Sequence, residues 1–296
     1  MSKTKALCYG AGTIVNAIAS GGGAAFALNL KTEVELELRE DWGPGRIEVY
    51  SNLGEDTIFS EFCIKKALSW CNKSCGATLK IQSNIPVAQG LSSSSALSNA
   101  IFAAAVKACD LSIDDMTIIK QAVSCSIEGG VSITGAFDDA TASYLGGITV
   151  TDNLNLKLMK QENFPPDYKL IVCASHDKAY TSKVDVKKTK NIASCAQVAY
   201  EKALSGDYFT ALTLNGILYA SVLGFSCEPI YAMLSAGAKA AGLSGTGSAY
   251  ISVVESKDAA KVADAAKEHG NVILAEPVNT CSKAKIYSPA GRNRVP

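Results

Sequence analysis

Four consecutive serines, Ser92 to Ser95, are the first residues of this sequence that could do chemistry. They follow Gly90 in the string QGLSSSSALSNA and lead into an apolar run that predicts a helix. One serine is enough to cap a helix. A helix start also binds anions through its unpaired N–H groups, and serine hydroxyls can bind phosphate oxygens or ligate Mg²⁺. The stretch is therefore a generously capped helix or an anion site, and the sequence contains no GxxxxGK[ST] string of a P-loop.

Three carboxylates surround the glycine-rich string IEGGVSITGAFDD. Glu128 ends one predicted helix, and Asp138 and Asp139 open a short helix predicted over residues 140–145. One carboxylate of such a group could hold Mg²⁺, and another could orient or deprotonate a hydroxyl. The structural alternative is that Asp138 is a helix N-cap and Glu128 a solvated helix end.

A third candidate is the glycine-rich string LSGTGSA, residues Leu243–Ala249, between a predicted helix and a predicted strand. Its backbone N–H groups could cradle a phosphate, because consecutive amides in a glycine-rich loop form an anion-binding concavity. The alternative is a simple turn between two elements.

Composition limits the partners of the chain. Its 296 residues are 48% hydrophobic and 19% charged with a formal net charge of zero, so no overall field favours nucleic acid or an anionic membrane. Ten cysteines without a CxxC pair and two histidines offer no zinc pattern and indicate reduced thiols. We find no signal peptide or apolar run of membrane-spanning length, and we expect a cytoplasmic protein.

The elements that must position these residues form clusters of strands and clusters of helices. Alternation in TEVELEL predicts a half-buried strand, and Ser112 with Asp115 three residues later predicts a helix N-cap. A strand at 169–174 precedes three helical stretches over about 189–241, and the chain ends strand, helix, strand, strand. The mixture predicts an α+β fold, and the proline-containing string ENFPPDY predicts a boundary between lobes at 1–160 and 161–296.

In this order the three strings resemble the GHMP kinase superfamily, which includes galactokinase, homoserine kinase and mevalonate kinase. Pro86 to Ser94 fits its P-x-x-x-G-L-x-S-S pattern, Glu128 and Asp139 have its eleven-residue spacing, and Leu243–Ala249 fits its late glycine-rich loop. The resemblance implies a GHMP kinase fold, with an N-terminal mixed α/β lobe and a C-terminal ferredoxin-like α+β lobe. The active site is then expected between the lobes.

A narrower resemblance is to the archaeal shikimate kinases, in the strings Gly10–Leu30, Gly90–Ala100 and Thr134–Asn153. It implies transfer of the γ-phosphoryl of ATP to the 3-hydroxyl of shikimate, a step towards chorismate and the aromatic amino acids. The alternatives are a GHMP kinase for another small alcohol, such as homoserine or mevalonate, and a nucleotide-binding regulatory protein that has lost catalysis.

The resemblance also implies roles for residues. Ser94 and Glu128 would hold Mg²⁺, and Asp139 would orient or deprotonate the attacking hydroxyl, with the adjacent Asp138 as the alternative. The residues expected around the ATP phosphates are Pro86, Gly90, Leu91, Ser92, Ser93, Ser94, Ser95, Gly245, Thr246 and Gly247.

On the substrate side, shikimate is a carboxylate with three hydroxyls, so its site needs a cation and several hydrogen-bonding groups. Lys178 and Lys183, in a basic segment, could supply the cation or belong to a solvated surface. Asn16 is a second substrate-side candidate, and Thr13 stands where many GHMP kinases have a lysine. The implied partners are shikimate and ATP, with no nucleic acid or membrane, and the chain is expected to be a monomer or a homodimer.

Overall fold

The computed structural model describes residues 3–54, 57–174, 185–282 and 285–287, which form two β-sheets with helices packed against them. The predicted α+β class is confirmed. In these described ranges no helix has both the length and the apolar character needed to cross a membrane.

The first sheet is built on two long antiparallel strands and has the order β11-β1-β2-β4-β3, with β5 paired to β2 and β6 paired to β5. In the second half of β2, Val34 and Leu36 are buried and Glu33 faces solvent, as the alternation predicted. The strands of this sheet are β1 Lys3–Val15, β2 Gly22–Arg39, β3 Ile47–Ser51, β4 Gly76–Ser83, β5 Ile148–Asp152, β6 Lys157–Glu162 and β11 Lys285–Tyr287.

Four helices belong to this first part of the chain: α1 Ile58–Trp70, α2 Ser93–Ala108, α3 Asp115–Glu128 and α4 Phe137–Leu145. Helix α2 is buried over most of its length and packs against β1, β2, α1 and α3, which explains why its sequence carries no charge before Lys107. The N-cap predicted at Ser112 is wrong. Asp114 caps α3 instead, because its carboxylate accepts a hydrogen bond from the Thr117 backbone N–H at 2.9 Å.

The second sheet is antiparallel throughout, with strand order β10-β7-β9-β8. Helices lie between β7 and β8 and between β9 and β10, so the chain order is the β-α-β-β-α-β arrangement of a ferredoxin-like lobe. Its elements are β7 Tyr168–Ala174, α5 Val186–Lys190, α6 Ala193–Leu204, α7 Tyr208–Leu223, α8 Glu228–Ser235, β8 Ala240–Leu243, β9 Tyr250–Glu255, α9 Ala259–Lys267 and β10 Asn271–Ala275.

Strand β8 differs from the sequence prediction, which continued a helix to about residue 241. The strand is four residues long and fully buried, and it packs closely on α7. A Cβ added at Gly216 would lie 2.2 Å from the Gly242 Cα, so two facing glycines permit this contact. The segment therefore forms a strand because its small residues allow close packing on α7, and not because of a local preference for strand structure.

A row of aromatic rings joins the two sheets at the connection 163–167. Phe164 is 1% exposed, and its ring lies 5.1 Å from Phe26 of β2 and 6.5 Å from Phe209 of α7. Phe209 in turn contacts Tyr168 edge-to-face at 5.0 Å. Because β11 also returns to pair with β1, the lobe division predicted at residues 160 and 161 stays a prediction.

We expect Phe164→Ala to lower the free energy of unfolding by about 3–5 kcal/mol, because it leaves a cavity between the sheets. Tyr231→Ala, which truncates a ring that is 52% exposed on α8, is the control and is expected to cost under about 1 kcal/mol. Urea denaturation of both variants measures the difference. Equal losses would show that the aromatic row does not hold the sheets together.

Candidate active site

One cavity collects side chains from all three glycine- and serine-rich strings and from the segment that follows β1. The start of α2 forms one wall, and the loop before α4 with the first turn of that helix forms another. Of the residues predicted from the sequence, those lining the cavity are Thr13, Asn16, Gly90, Ser92, Ser93, Ser94, Ser95, Asp138, Asp139, Gly245 and Thr246.

The serines at the start of α2 are not simply a cap. Ser92 has a left-handed backbone with φ of 61°, and its side chain makes no capping hydrogen bond to the helix. Its hydroxyl donates instead to the Ala11 carbonyl of β1 at 3.3 Å. Ser93 and Ser94 remain partly exposed in the cavity wall. The N-terminus of a 16-residue helix, with its partial positive charge, therefore faces the cavity.

The late glycine-rich loop is fastened to the serine loop and to β1. The Ser244 hydroxyl donates to the Gly90 carbonyl at 2.8 Å and accepts from the Thr13 N–H at 3.1 Å, and the Thr13 hydroxyl accepts from the Gly245 N–H at 2.9 Å. Gly90 has a φ of +72°, and a Cβ there would lie 2.1 Å from the Ser244 carbonyl oxygen. Two backbone loops thus meet at one edge of the cavity, where only glycine fits.

Asp138 occupies a buried position beside β2 and β5. Its Oδ1 accepts a hydrogen bond from Asn153 Nδ2 at 2.8 Å. A Cβ added at Gly23 would lie 2.7 Å from the Asp138 Cγ, so the carboxylate packs directly against the bare β2 backbone. Asp138 lies within the first turn of α4, whose N-cap is Ala136, which excludes the interpretation of Asp138 as the N-cap.

Asp139 faces the other way, towards the start of α2. Its carboxylate is within reach of the Ser92 hydroxyl and competes with the Ala11 carbonyl for the one proton of that hydroxyl, and its Oδ1 is buried without a hydrogen-bond partner in the described part of the chain. A buried carboxylate oxygen with no donor is costly unless a proton or a cation satisfies it. This oxygen is therefore available to a ligand or a metal ion.

Both carboxylates have raised pKa values, and the charge of Asp138 contributes to the change at Asp139. Burial raises the pKa of Asp138, and the hydrogen bond from Asn153 opposes that change. Burial and then the charge of Asp138 raise the pKa of Asp139 well above its usual range, while the hydrogen bond from Ser92 lowers it. Since no basic side chain stands among the described residues that line the cavity, the positive ends near the two carboxylates are the N-terminus of α4, in whose first turn both lie, and the N-terminus of α2.

Glu128, expected at the metal, lies outside this group. Its carboxylate is 47% exposed, forms an ion pair with Lys66 of α1 and accepts from the Ser124 hydroxyl at 3.3 Å. The ion pair lowers the pKa of Glu128. The carboxylate is not part of the cavity wall in the described structure, so metal binding by Glu128 stays a prediction.

Other predicted residues support the cavity without lining it. Leu91 is buried in the core, and its carbonyl accepts from the Ala11 N–H at 3.2 Å. Gly247 packs against Phe225, and Pro86 follows the end of β4. Lys178 and Lys183 lie outside the described residues.

Asn16 lines the cavity, but its amide is already engaged. Its Nδ2 donates to the Gly245 carbonyl at 2.9 Å, and its Oδ1 accepts from the Ile18 N–H at 2.9 Å. Asn16 therefore shapes the segment after β1 and ties it to the late loop. A substrate contact by Asn16 or Thr13 stays a prediction.

Sequence reasoning missed two residues at the carboxylates, Gly23 and Asn153. Gly23 belongs to the string GGG, whose last two residues, Gly22 and Gly23, begin strand β2. Asn153 ends the string that carries the narrower resemblance, and it follows strand β5 directly. A buried asparagine just after a strand of threonines was the available signal, because such a polar group needs a partner.

Comparison with known proteins agrees with this geometry. The models of the GHMP kinases N terminal domain and the GHMP kinases C terminal domain match residues 59–147 and 215–272. The shikimate kinase of Methanocella arvoryzae is 41% identical over 280 residues, covering 94% of each chain. That of Methanosarcina mazei is 42% identical over 250 residues, covering 84% of this chain and 85% of the relative.

Among solved structures, the mevalonate kinase of Methanococcus jannaschii superposes with a TM-score of 0.72 at 18% identity, covering 92% of this chain and 98% of that one. At this identity the likeness concerns the fold, and it confirms the predicted architecture.

We expect Gly90→Ala to destabilise the chain more than Gly45→Ala. Both glycines have a left-handed backbone, which costs an alanine roughly 1–2 kcal/mol, but a Cβ at Gly45 would meet nothing within 4 Å. The clash at Gly90 adds about 1–3 kcal/mol. Urea denaturation compares the two variants, and equal losses would mean that the loops do not need their close approach.

Proposed function

The chain belongs to the GHMP kinase family, alongside the archaeal shikimate kinases, and we propose that it transfers the γ-phosphoryl of ATP to the 3-hydroxyl of shikimate. One observation carries the proposal. Relatives named shikimate kinase match at about 40% identity over most of both chains. We place this enzyme in the cytoplasm, where ATP is available.

The start of α2 is the natural place for the ATP phosphates. Its free N–H groups, the small side chains Ser92 to Ser95 and the backbone at Gly245 and Thr246 surround one end of the cavity. Hydroxyls and backbone amides can approach phosphate oxygens closely here because no bulky side chain intervenes. Phosphoryl transfer requires mainly such positioning and charge neutralisation.

The geometry favours Asp138 over Asp139 as the carboxylate that faces the acceptor hydroxyl. Asp138 is turned away from the α2 start and is fixed by Asn153 against β2. In the proposed step the 3-hydroxyl oxygen forms a bond to the γ-phosphorus, and the bond from that phosphorus to the bridging oxygen of ADP breaks. The hydroxyl proton passes to the Asp138 carboxylate, and ADP leaves with the bond electrons.

The residues at the α2 start fit a Mg²⁺ ion. The test is the buried Oδ1 of Asp139, which has no hydrogen-bond donor among the described residues, in the cavity that the partly exposed Ser94 also lines. Both are oxygen ligands of the kind that Mg²⁺ prefers. When bound, the ion neutralises charge on the phosphate oxygens. Glu128 could join only by giving up its ion pair with Lys66.

The shikimate carboxylate needs a cation that the described cavity wall does not contain. Lys178 and Lys183, which are outside the described residues, remain our candidates for that role. Asn16 and Thr13 line the cavity and remain our candidates for polar contacts with the substrate.

A coupled assay of ADP release tests the substrate. We expect turnover with shikimate and ATP in the presence of Mg²⁺, and little with homoserine or mevalonate, because the relatives that match over most of the chain are named shikimate kinase. Direct detection of shikimate 3-phosphate by mass spectrometry identifies the product. Turnover of homoserine without turnover of shikimate would overturn the proposal.

Two aspartate variants test the division of roles. We expect Asp138→Asn to lower kcat by about 10²–10⁴-fold with ATP binding retained, because it removes the proton acceptor. We expect Asp139→Asn to weaken Mg²⁺ instead, which titration calorimetry of the protein with Mg²⁺ and an ATP analogue measures directly.

Asp167→Asn, at an exposed position between β6 and β7, is the matched control and should behave as wild type. If Asp138→Asn kept the wild-type kcat, or if Asp139→Asn left Mg²⁺ affinity unchanged while abolishing turnover, the roles would be reversed or wrong.

A further inference from the structure

A buried relay of two polar side chains stands behind Asp138. Thr151 Oγ1 donates to Asn153 Oδ1 at 2.6 Å, and Asn153 Nδ2 donates to Asp138 Oδ1 at 2.8 Å. Thr151, Asn153 and Asp138 are 0%, 6% and 4% exposed. The relay is therefore screened from water and is part of the fixed interior of the lobe.

The Asp138 carboxylate determines which way the Asn153 amide points, and Thr151 supports that orientation. A carboxylate only accepts hydrogen bonds, so Asp138 must meet the NH₂ end of the amide and not its oxygen. The Thr151 hydroxyl donates to the amide oxygen and stabilises that orientation. With the amide reversed, its oxygen would face the carboxylate and the hydrogen bond to Asp138 would be lost, while the Thr151 hydroxyl would have to donate to the Gly23 carbonyl, which lies 3.3 Å away.

The backbone holds the relay in place. Thr151 pairs with Gly23 in the β2–β5 ladder, and the Asn153 N–H donates to the Gly21 carbonyl at 2.9 Å. Gly23 is also the residue against which the Asp138 carboxylate packs. One stretch of β2 thus positions the relay and the carboxylate together, so that a shift of either would disturb both.

We propose that Asn153 is a positioning residue for Asp138 and that Thr151 acts on the reaction through Asn153. This inference rests on the proposed function, in which Asp138 meets the acceptor hydroxyl. Asn153 takes one of the acceptor positions on Oδ1, and we expect the acceptor hydroxyl at Oδ2, which receives no hydrogen bond from Asn153. An uncharged donor fixes the direction of the carboxylate and brings no positive charge into the site.

Three variants test the relay. We expect Asn153→Leu to lower kcat by about 10–100-fold, the range found when a partner that orients a catalytic group is removed. We expect Thr151→Val, which keeps the side-chain shape, to lower kcat by a smaller factor. Thr151→Ser keeps the hydroxyl, and we expect this variant to have the wild-type kcat. The KM for ATP should stay within about twofold in all three, because only transition-state positioning changes.

The double variant provides the sharpest readout. If Thr151 acts through Asn153, then Thr151→Val should have no further effect on kcat in the Asn153→Leu background. Thr32→Val is the matched control, because Thr32 is equally buried in β2 and its hydroxyl contacts Ser83 Oγ at 2.9 Å, away from the cavity. It should leave kcat unchanged. Urea denaturation of each variant separates kinetic effects from loss of folding. If Asn153→Leu does not fold, the comparison of kcat between Thr151→Val and Thr151→Ser tests the relay.

The outcomes are distinguishable. Wild-type kcat in Thr151→Val, failure of Thr151→Ser to recover activity, or additive losses in the double variant would overturn the relay alone. Absence of turnover with any of the three alcohols in the wild-type enzyme would overturn the proposed function, and the inference with it.

Discussion

Two adjacent buried carboxylates, Asp138 and Asp139, are the constraint on which the rest of the site depends. They repel each other, and no basic side chain stands in the described wall of their cavity. The fold separates their surroundings by placing one against β2 and Asn153 and the other against Ser92 at the start of α2. Two chemically identical side chains thereby have different surroundings, and we propose that one faces the acceptor hydroxyl and the other the metal-bound phosphate.

Gly23, Gly90 and Thr13 hold together the elements that surround the two carboxylates. Gly23 lets a carboxylate lie against the β2 backbone, and Gly90 lets the serine loop touch the late glycine-rich loop. Thr13 joins β1 to the late loop by accepting from the Gly245 N–H. In this chain, that position contributes to holding the loops together, and the described wall of the cavity offers positive charge through helix N-termini and not through a basic side chain.

Much of this arrangement could be predicted from the sequence, because the signals were local. Each of three strings predicted a candidate site from its own residues: the serine string, the aspartate pair and the late glycine-rich loop. The resemblance predicted that the three lie at one active site, and residues of all three line the cavity. Signals that depend on distant residues were missed. Asn153 meets Asp138 across a strand, Glu128 pairs with Lys66 from another helix, and β8 is a four-residue strand selected by its contact with α7. The spacing of residues along the chain does not predict contacts between residues that are far apart in the sequence.

The most direct test of this account is a crystal structure of the protein with Mg²⁺, a non-hydrolysable ATP analogue and shikimate. The account predicts the phosphates at the start of α2, Asp139 in the coordination sphere of the metal, and Asp138 Oδ2 within hydrogen-bonding distance of the 3-hydroxyl, with Asn153 still on Oδ1. A structure with the two aspartates in exchanged roles, or with the phosphates bound away from Ser92 to Ser95, would contradict it.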